Sequence, residues 1–434
     1  MESSTLTATG NTGAWYGYAV FVDGLDVDSG STLDIRDNGG SGLGVGGIGV
    51  IQGGSQVICD GNGTNDPGYG SGGLYVYAGA DLTIESGANV SVCQNKGLAA
   101  IVNSCKLHIQ NGANVSVDNN AKLGIYNSYD SYLTIESGAN VTANYNTVSG
   151  IVNCNLFTVE KGANLQVEYN SNCGIQNDEH ATLNLLAGSV RYNHAGSVGG
   201  GLVNSGTAIL SDDVELYNNH ARLSGDDIYN ADGATITFGD TGKGWTLDGE
   251  PDCYDFITGW YDDSEATRWN AHGDEADLHM VLVAPVNSYT GPLSLKAAHG
   301  SIGSLTVCKE TLGELLPSDY DTAFTFELTL DDDTITTIDD KWCGVPFKNG
   351  KASFTLKSGE SITLSNLPAG IGYTITETAQ DGWTLLNLNP AETGVVPQND
   401  TAKVVFTNLK NSPDTPLCSG RSRRPGDPRD PRGA

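Results

Sequence analysis

Short runs in which apolar and polar residues alternate recur through residues 19–240. Leu82 and Ile84 are separated by a polar residue, and after a turn Val90 and Val92 are spaced in the same way. A period of two predicts strands with one buried face. Equivalent apolar pairs recur further along the chain: Leu107 and Ile109, Val115 and Val117, Leu133 and Ile135, and Leu183 and Leu185. The region is therefore predicted to consist of many short strands of one kind.

Two sequence markers show that these strands belong to a repeat. Tetrads related to SGAN place glycines 25, 26, 24 and 26 residues apart, at Gly87, Gly112, Gly138, Gly162 and Gly188. Asparagines 24, 26, 24, 27 and 26 residues apart form the second marker, at Asn103, Asn127, Asn153, Asn177, Asn204 and Asn230. Three strands and three turns in about 25 residues predict one coil of a parallel β-helix, which buries its apolar face only by stacking on neighbouring coils. With weaker coils at both ends, we expect about nine coils over residues 19–240, each rising ~4.8 Å.

The asparagine column has a structural interpretation. Identical amides stacked at the spacing between strands can hydrogen-bond to one another and to turn carbonyls. Catalysis would instead require unlike groups to converge, so we predict that this column is a structural ladder.

The repeat stops after residue 240, and residues 241–303 are rich in aromatic residues. These are Trp245, Tyr254, Phe256, Trp260, Tyr261 and Trp269. The open end of a solenoid is an exposed edge that must be covered. We predict a cap and linker here, with an aromatic ligand-binding patch as the alternative. Residues 1–18 are predicted to be an N-terminal extension, and residues 411–434 a disordered tail.

Residues 304–410 show a different pattern, with longer alternating segments such as AFTFELTL, ASFTLK and AKVVFTN separated by polar turns. About seven short strands in a segment of this length predict an immunoglobulin-like antiparallel β-sandwich. The predicted fold class is thus all-β, a parallel β-solenoid followed by a sandwich.

This last segment resembles the Cna-B/SpaA-like domains of Gram-positive surface proteins and pili. The resemblance rests on LTVCK, on FKNGKASFTLKSGESITLSNLPAGIGYTITET and on VVFTN. Together with the right-handed, pectate-lyase-like β-helix, it implies a Gram-positive surface adhesin. It also implies a spontaneous isopeptide bond between Lys309 and Asn408, promoted by Glu377. A desolvated lysine amine is a nucleophile, and a buried carboxyl can carry protons. The alternative is an ordinary ion pair between Lys309 and Glu377.

The formal net charge of −30 argues against nucleic-acid binding, which requires clustered Lys and Arg. We expect an extracellular or cell-surface protein, a monomer, whose partner is a host or bacterial surface glycan or protein. The sequence shows no signal peptide, no LPxTG sorting motif and no apolar run long enough to insert in a membrane.

No cofactor or metal is expected. The nine cysteines contain no CxxC pair, and most are predicted to be small buried apolar residues. The segment DGNGTND that begins at Asp60 lacks the Gly and terminal Glu of an EF-hand loop, which favours a turn. His194 and His220 occupy similar turns, but no third ligand is apparent.

Parallel β-helices also include pectate lyases and polygalacturonases, so the fold alone does not exclude an enzyme. Those reactions need clustered carboxylates and basic residues that meet an acidic sugar. Basic residues are sparse in this solenoid, and Glu85, Glu136 and Glu160 recur at turns as a solvated column. We predict a non-enzymatic adhesin or stalk, with a polysaccharide lyase or glycoside hydrolase as the alternative.

A column of tyrosines is the candidate binding surface. Each is followed by Asn, with spacings of 24, 23 and 25 residues: Tyr145, Tyr169, Tyr192 and Tyr217. Near-coil spacing would stack the rings along one edge, where aromatic faces bind neutral glycans. Alternatively, the rings point inward and close the core, since Tyr145 is in phase with Val141.

Overall fold

A computed structural model describes residues 3–12, 17–64, 71–239, 257, 259–265, 280–282, 288–298, 302–331, 337–338, 344–348, 350–368, 371–387, 391–397 and 400–411. Within these residues the fold is all-β apart from one short 3-10 turn, Pro317–Asp321. No helix in this part of the chain is long and apolar enough to cross a membrane. Residues 412–434 of the predicted tail lie outside the described residues, as do the aromatic residues Trp245, Tyr254, Phe256 and Trp269.

Three parallel sheets, named A, B and C, run the length of the solenoid. Sheet A contains Thr5–Thr9, Thr32–Arg36, Gln56–Ile58, Asn89–Ser91, Asn114–Ser116, Asn140–Thr142, Asn164–Glu168, Gly188–Arg191 and Val214–Tyr217. Sheet B contains Tyr18–Val22, Ser41–Val45, Ser71–Val76, Ala99–Asn103, Leu123–Asn127, Ile151–Asn153, Ile175–Asn177, Leu202–Asn204 and Ile228–Asn230. Sheet C contains Leu25–Val27, Ile48–Ile51, Asp81–Ile84, Lys106–Ile109, Tyr132–Ile135, Leu156–Val159, Thr182–Leu185, Thr207–Leu210 and Thr235–Phe238. Two short strands, His194–Ala195 and His220–Ala221, pair beside these sheets.

Nine parallel strands in each sheet confirm the predicted nine-coil β-solenoid. Its interior is filled by columns of apolar side chains in register from coil to coil. In sheet C, Leu107 lies between Leu82 and Leu133, and the column continues through Phe157 and Leu183. All five side chains are almost fully buried. Strand Thr5–Thr9 pairs with Thr32–Arg36, so part of the predicted N-terminal extension belongs to the first coil.

The predicted asparagine ladder is confirmed. From Asn103 to Asn204, each side-chain amide of the column donates to the amide oxygen of the next coil, over 2.6–2.8 Å. The same Nδ2 atoms also donate to the carbonyl that starts the sheet C strand of the next coil, as Asn103 does to Tyr132. The last member, Asn230, donates to the carbonyl of Gly291 instead. These side chains are completely buried. Because a buried amide has no access to water, its donors and acceptor need partners in the protein, and the ladder supplies them.

A second asparagine ladder, which the sequence analysis missed, lies at the turn between sheets A and B. Here both the backbone N–H and the Nδ2 of most members donate to the Oδ1 of the next coil, as Asn146 does to Asn170 at 2.9 and 3.0 Å. Its members are Asn11, Asn38, Asn62, Asn95, Asn120, Asn146, Asn170, Asn193 and Asn219. Glycines in sheet B make room for it: a Cβ at Gly174 would lie 2.7 Å from the Nδ2 of Asn193. The available sequence signal was a glycine that recurs at this position in most coils, at Gly42, Gly73, Gly124, Gly150, Gly174 and Gly201.

Both ladders end on antiparallel strands that cover the last coil. Strands Leu293–Ala298 and Tyr289–Thr290 pair with sheets B and C, and Gly259–Asp262 and Met280–Leu282 extend sheet B. Asp227 accepts the backbone N–H and the Nδ2 of Asn219 and, through its other oxygen, the N–H of Ala297. A carboxylate suits this position because it offers two acceptors to donors from both sides.

The C-terminal sandwich has a four-stranded and a six-stranded sheet. The first contains Ser361–Pro368, Ile302–Leu312, Thr401–Lys410 and Trp383–Leu385; the second contains Thr337–Ile338, Phe347–Lys348, Lys351–Leu356, Phe324–Leu330, Gly372–Glu377 and Ala391–Val395. One pair departs from the antiparallel prediction, since Ile302–Leu312 and Thr401–Lys410 are parallel. They are the first and last strands of the domain, so no hairpin forces them to be antiparallel.

We predict that Asn120→Asp destabilises the solenoid by at least ~2 kcal/mol, because a buried carboxylate cannot donate to the Oδ1 of Asn146 and repels it. The adjacent Asn119→Asp is the matched control, since Asn119 is exposed and aspartate tolerates its positive φ of 59°. Thermal unfolding followed by circular dichroism measures both. Equal effects of the two substitutions would contradict a structural ladder.

The stability of the capped end should fall as the pH rises. Burial raises the pKa of Asp227 to about 7, against three hydrogen bonds that lower it. A carboxyl with a raised folded-state pKa contributes stability below pH ~4 that is lost as the pH rises through 7, here about 2–3 kcal/mol between pH 5 and pH 8. Hydrogen exchange at Ile228–Asn230 would report the loss, and Asp227→Asn should flatten this pH dependence. If Asp227→Asn leaves the pH profile of hydrogen exchange unchanged, the pH dependence of stability belongs to another titratable group.

Candidate functional sites

The three residues predicted to form the isopeptide bond meet in the core of the sandwich. Lys309 and Asn408 lie on the first and last strands, which are neighbours in the four-stranded sheet, and Glu377 ends a strand of the opposite sheet. The phase of the first strand, which the sequence left open, places Lys309 inward and Glu310 outward. Side chains from both sheets thus converge on one point.

Their geometry joins the three functional groups through the carboxylate. The Nζ of Lys309 donates to Oε2 of Glu377 at 2.8 Å, and the Nδ2 of Asn408 donates to Oε1 at 2.5 Å. The amine also lies 3.4 Å from the carbonyl oxygen of Phe406 and 4.2 Å from the centroid of the Phe324 ring. Glu377 therefore bridges the amine and the amide.

Burial makes this cluster chemically unusual. Lys309 is 1% exposed and Asn408 is 2% exposed. Desolvation is the largest influence on the amine and holds the pKa of Lys309 below its ordinary value, against the opposing effect of Glu377. Among the described residues, Oδ1 of Asn408 is a buried oxygen without a hydrogen-bond donor. Glu377 thus holds a buried amine and a buried amide whose oxygen lacks a partner, which is a costly arrangement.

Three of the four predicted tyrosines form a stack on the outside of the solenoid. The rings of Tyr145, Tyr169 and Tyr192 are 4.9 Å apart between centroids, with interplanar angles of 4° and 11°. Tyr145 is 53% exposed and Tyr169 is 44% exposed. The alternative in which these rings point into the core is therefore wrong. We call these three residues the tyrosine ridge.

Tyr217 is not part of the ridge, contrary to the prediction. Its register partner in the preceding coil is Arg191, not Tyr192, because Asn218 occupies the ridge position. Tyr217 is buried, and its hydroxyl accepts a hydrogen bond from Arg191 at 3.0 Å. The extra Asn after Tyr217 in the sequence, YNN instead of YN, was the signal for this shift.

The backbone at the ridge is left-handed, with φ of 55–57° at all three tyrosines. Neighbouring coils place Asn119 and Asn218 in the same conformation, which asparagine adopts at little cost. A bulky residue is unusual in this conformation, and the stacking of each ring pair stabilises the fold by only about 0.5–1.5 kcal/mol.

Stacking also limits what the ridge can bind. Each internal ring face is covered by the next ring, and the guanidinium of Arg191 lies 5.8 Å from the centroid of Tyr192. The ridge thus presents ring edges and hydroxyls. A sugar stacked flat on each successive ring, as the sequence suggested, does not fit this arrangement.

The remaining candidates have structural partners. Glu136 and Glu160 accept the backbone N–H of Asn111 and Ser137 in the preceding coil. Asp60 accepts from the hydroxyl of Ser91 and the N–H of Cys93, while Asn65 and Asp66 of its loop are outside the described residues. The rings of His194 and His220 lie 4.7 Å apart. Within the part of the chain that the structure describes, no group of three His, Cys, Asp or Glu side chains could hold a metal.

The described cysteines are all free thiols: Cys59, Cys93, Cys105, Cys154, Cys173 and Cys308. Cys59, Cys154 and Cys173 are buried, and burial raises the pKa of Cys173 to about 11. A thiol with so high a pKa is unreactive at neutral pH.

Comparison with known proteins gives limited matches. Residues 303–410 match a family described as a domain of unknown function (DUF7601). No curated protein matches the chain. Among solved structures, the pilus-presented adhesin Cpa is 27% identical over 28% of this chain and 30% of its own, with a TM-score of 0.23.

Two further structures are similar to part of the chain. The major pilin T-13 of Streptococcus pyogenes is 24% identical over 28% of this chain and 50% of its own, with a TM-score of 0.19. A Mobiluncus mulieris adhesin with intramolecular disulfide, isopeptide and ester cross-links is 18% identical over 30% of this chain and 48% of its own, with a TM-score of 0.18. This chain thus spans at most half the length of these three proteins, and such TM-scores establish no function for it.

We predict that Tyr169→Asn changes the free energy of unfolding by less than ~1 kcal/mol, because the relief of the left-handed backbone offsets the lost stacking. Tyr217→Asn is the matched comparison and should cost ~2–4 kcal/mol, since it removes a buried ring. Denaturant unfolding measures both. A loss at Tyr169 as large as that at Tyr217 would make the ridge a structural brace.

Proposed function

We propose that this protein is a non-enzymatic, extracellular surface adhesin or stalk of a Gram-positive bacterium. Its solenoid is a rod that presents a binding surface, and its sandwich is closed by an isopeptide bond between Lys309 and Asn408. The observation that carries the proposal is the buried cluster of amine, carboxyl and amide in the sandwich core. We place the protein at the cell surface because an isopeptide bond of this kind would carry mechanical load in a stalk.

The bond forms by amide exchange. With Glu377 protonated and the amide turned by half a turn, the carboxyl donates to Oδ1 of Asn408 and polarises its carbonyl, which supplies the missing donor. The neutral Nζ of Lys309 attacks Cγ, and Glu377 takes a proton from Nζ and delivers one to Nδ2. The Nζ–Cγ bond forms, the Cγ–Nδ2 bond breaks, and ammonia leaves. No oxidant or cofactor is needed.

The strand order explains why this bond suits a stalk. Lys309 and Asn408 lie on the first and last strands of the sandwich, which are adjacent and parallel. Tension applied along the chain enters through one of these strands and leaves through the other. A covalent bond between them carries that tension directly, so the strands between them remain unloaded.

The intact mass of the protein tests the bond. We expect the chain to be lighter than its sequence by one ammonia, and Glu377→Ala to restore the full mass. The matched control is Glu310→Ala, which removes an exposed carboxylate next to Lys309 and should keep the deficit. Since the bond closes a loop of ~100 residues, its loss should lower the melting temperature of the sandwich by roughly 10–20 °C. An unshifted mass in folded protein would refute the bond, and release of reducing sugar from polysaccharides would favour the enzyme alternative.

A further inference from the structure

The outer face of sheet A carries uncharged polar side chains over several coils of this acidic protein. Asn89, Asn114 and Asn140 form one exposed column, and Ser91, Ser116 and Thr142 form a second beside it. We call these six residues the neutral face. A groove of about 340 Å³ lies over it, and no charged side chain lines that groove.

The amide column is ordered by hydrogen bonds between coils. The Nδ2 of Asn114 donates to Oδ1 of Asn89 at 3.1 Å, Asn140 donates to Asn114 at 3.0 Å, and Asn164 continues the column at 3.1 Å. A carboxamide has two donors and two acceptor positions, and this ladder uses one of each. The second N–H and the second lone pair of each exposed amide are free to bind a ligand, once per coil.

The hydroxyl column is also held in place. Ser116 and Thr142 both donate to Oδ2 of Asp118 at 2.7 Å, and their oxygens lie 3.0 Å apart. With the protons directed at Asp118, the lone pairs of these hydroxyls are the groups left for a ligand. The neutral face is therefore a fixed array of donors and acceptors, which lowers the entropic cost of binding.

This chemistry favours one class of ligand. A chain with a formal charge of −30 repels polyanions. No charged side chain lines the groove, and the neighbouring carboxylates of Asp60 and Asp118 already accept hydrogen bonds from the hydroxyl column. The face also lacks exposed aromatic or large aliphatic side chains of its own, which protein partners use as anchors. A polymer with many hydroxyls and no charge can donate to the lone pairs and accept from the amides at every coil.

We propose that the neutral face binds an uncharged glycan that lies along sheet A. The tyrosine ridge begins where the neutral face ends: Tyr145 follows Thr142 by three residues in the same coil, and Tyr169 and Tyr192 lie in the next two coils. The ring edge and hydroxyl of Tyr145 therefore lie beside the last coil of the face. This inference rests on the proposed adhesin function and assigns the ligand class of that function. The glycan site proposed here is therefore the amide column of sheet A, and not the faces of the tyrosine rings.

The test uses the complete chain and affinity electrophoresis in gels that contain dextran, mannan, galactomannan or, as the charged probe, polygalacturonate. We expect retardation by at least one neutral polymer and none by polygalacturonate. The substitution pair Asn114→Val and Asn140→Val removes two amides, keeps side-chain size and favours strands, so it should weaken binding about tenfold or more without lowering the melting temperature.

The matched control is Thr134→Val with Thr158→Val, which changes two partly exposed strand positions on the outer face of sheet C. It should leave the affinity within about twofold of the parent protein. Tyr145→Asn should weaken binding less than the amide pair, since the ridge only borders the face.

Retardation by none of the neutral polymers would overturn the proposal, as would binding that survives the loss of both amides or that is confined to polygalacturonate. The mass measurement keeps the two proposals apart. A chain that lacks one ammonia but binds no neutral polymer remains a stalk without this site. If the chain shows its full mass and still binds a neutral polymer through the amides, only the proposed isopeptide bond is refuted.

Discussion

The solenoid depends on the satisfaction of buried backbone groups at its turns. Parallel coils leave carbonyls and N–H groups inside a core that water does not reach, and two asparagine ladders supply their partners. Each amide both accepts from the preceding coil and donates to the next, so every coil requires its neighbours. The ladder therefore needs a different residue at its end, and Asp227, which accepts from both Asn219 and the covering strand, fills that position.

The two parts of the chain treat buried polarity in different ways. In the solenoid the buried amides are neutral and repeat, so each pairs with another of its kind. In the sandwich a single lysine, glutamate and asparagine share an otherwise apolar core that includes Phe324 and Phe406. A buried ion pair of this type is a weak source of stability, because the cost of removing charge from water offsets the attraction. The proposed conversion of Lys309 and Asn408 into one amide would remove the amine of this pair from the core.

Repetition also separates the inside of the solenoid from its outside. Inward positions repeat mainly apolar residues and asparagine from coil to coil, whereas many outward positions vary. Where outward residues nevertheless repeat, as the exposed amides of sheet A and the stacked tyrosines do, the core does not require them. The left-handed backbone at Tyr169 strengthens this argument, since asparagine serves the fold at the same position in other coils.

The all-β class, the nine coils and the first asparagine ladder were predictable from sequence because a parallel solenoid places residues one repeat apart in direct contact. The pairing of Lys309, Glu377 and Asn408 was implied by resemblance alone, and alternation could not decide whether Lys309 or Cys308 faces inward. Only the tertiary structure decided that question, since packing of two sheets sets the strand phase. It likewise separated Tyr217 from the other tyrosines, because one inserted asparagine shifts the register by one position. Spacing along the chain thus determined which residues share a coil position, and side-chain direction, on which any binding depends, was decided by packing.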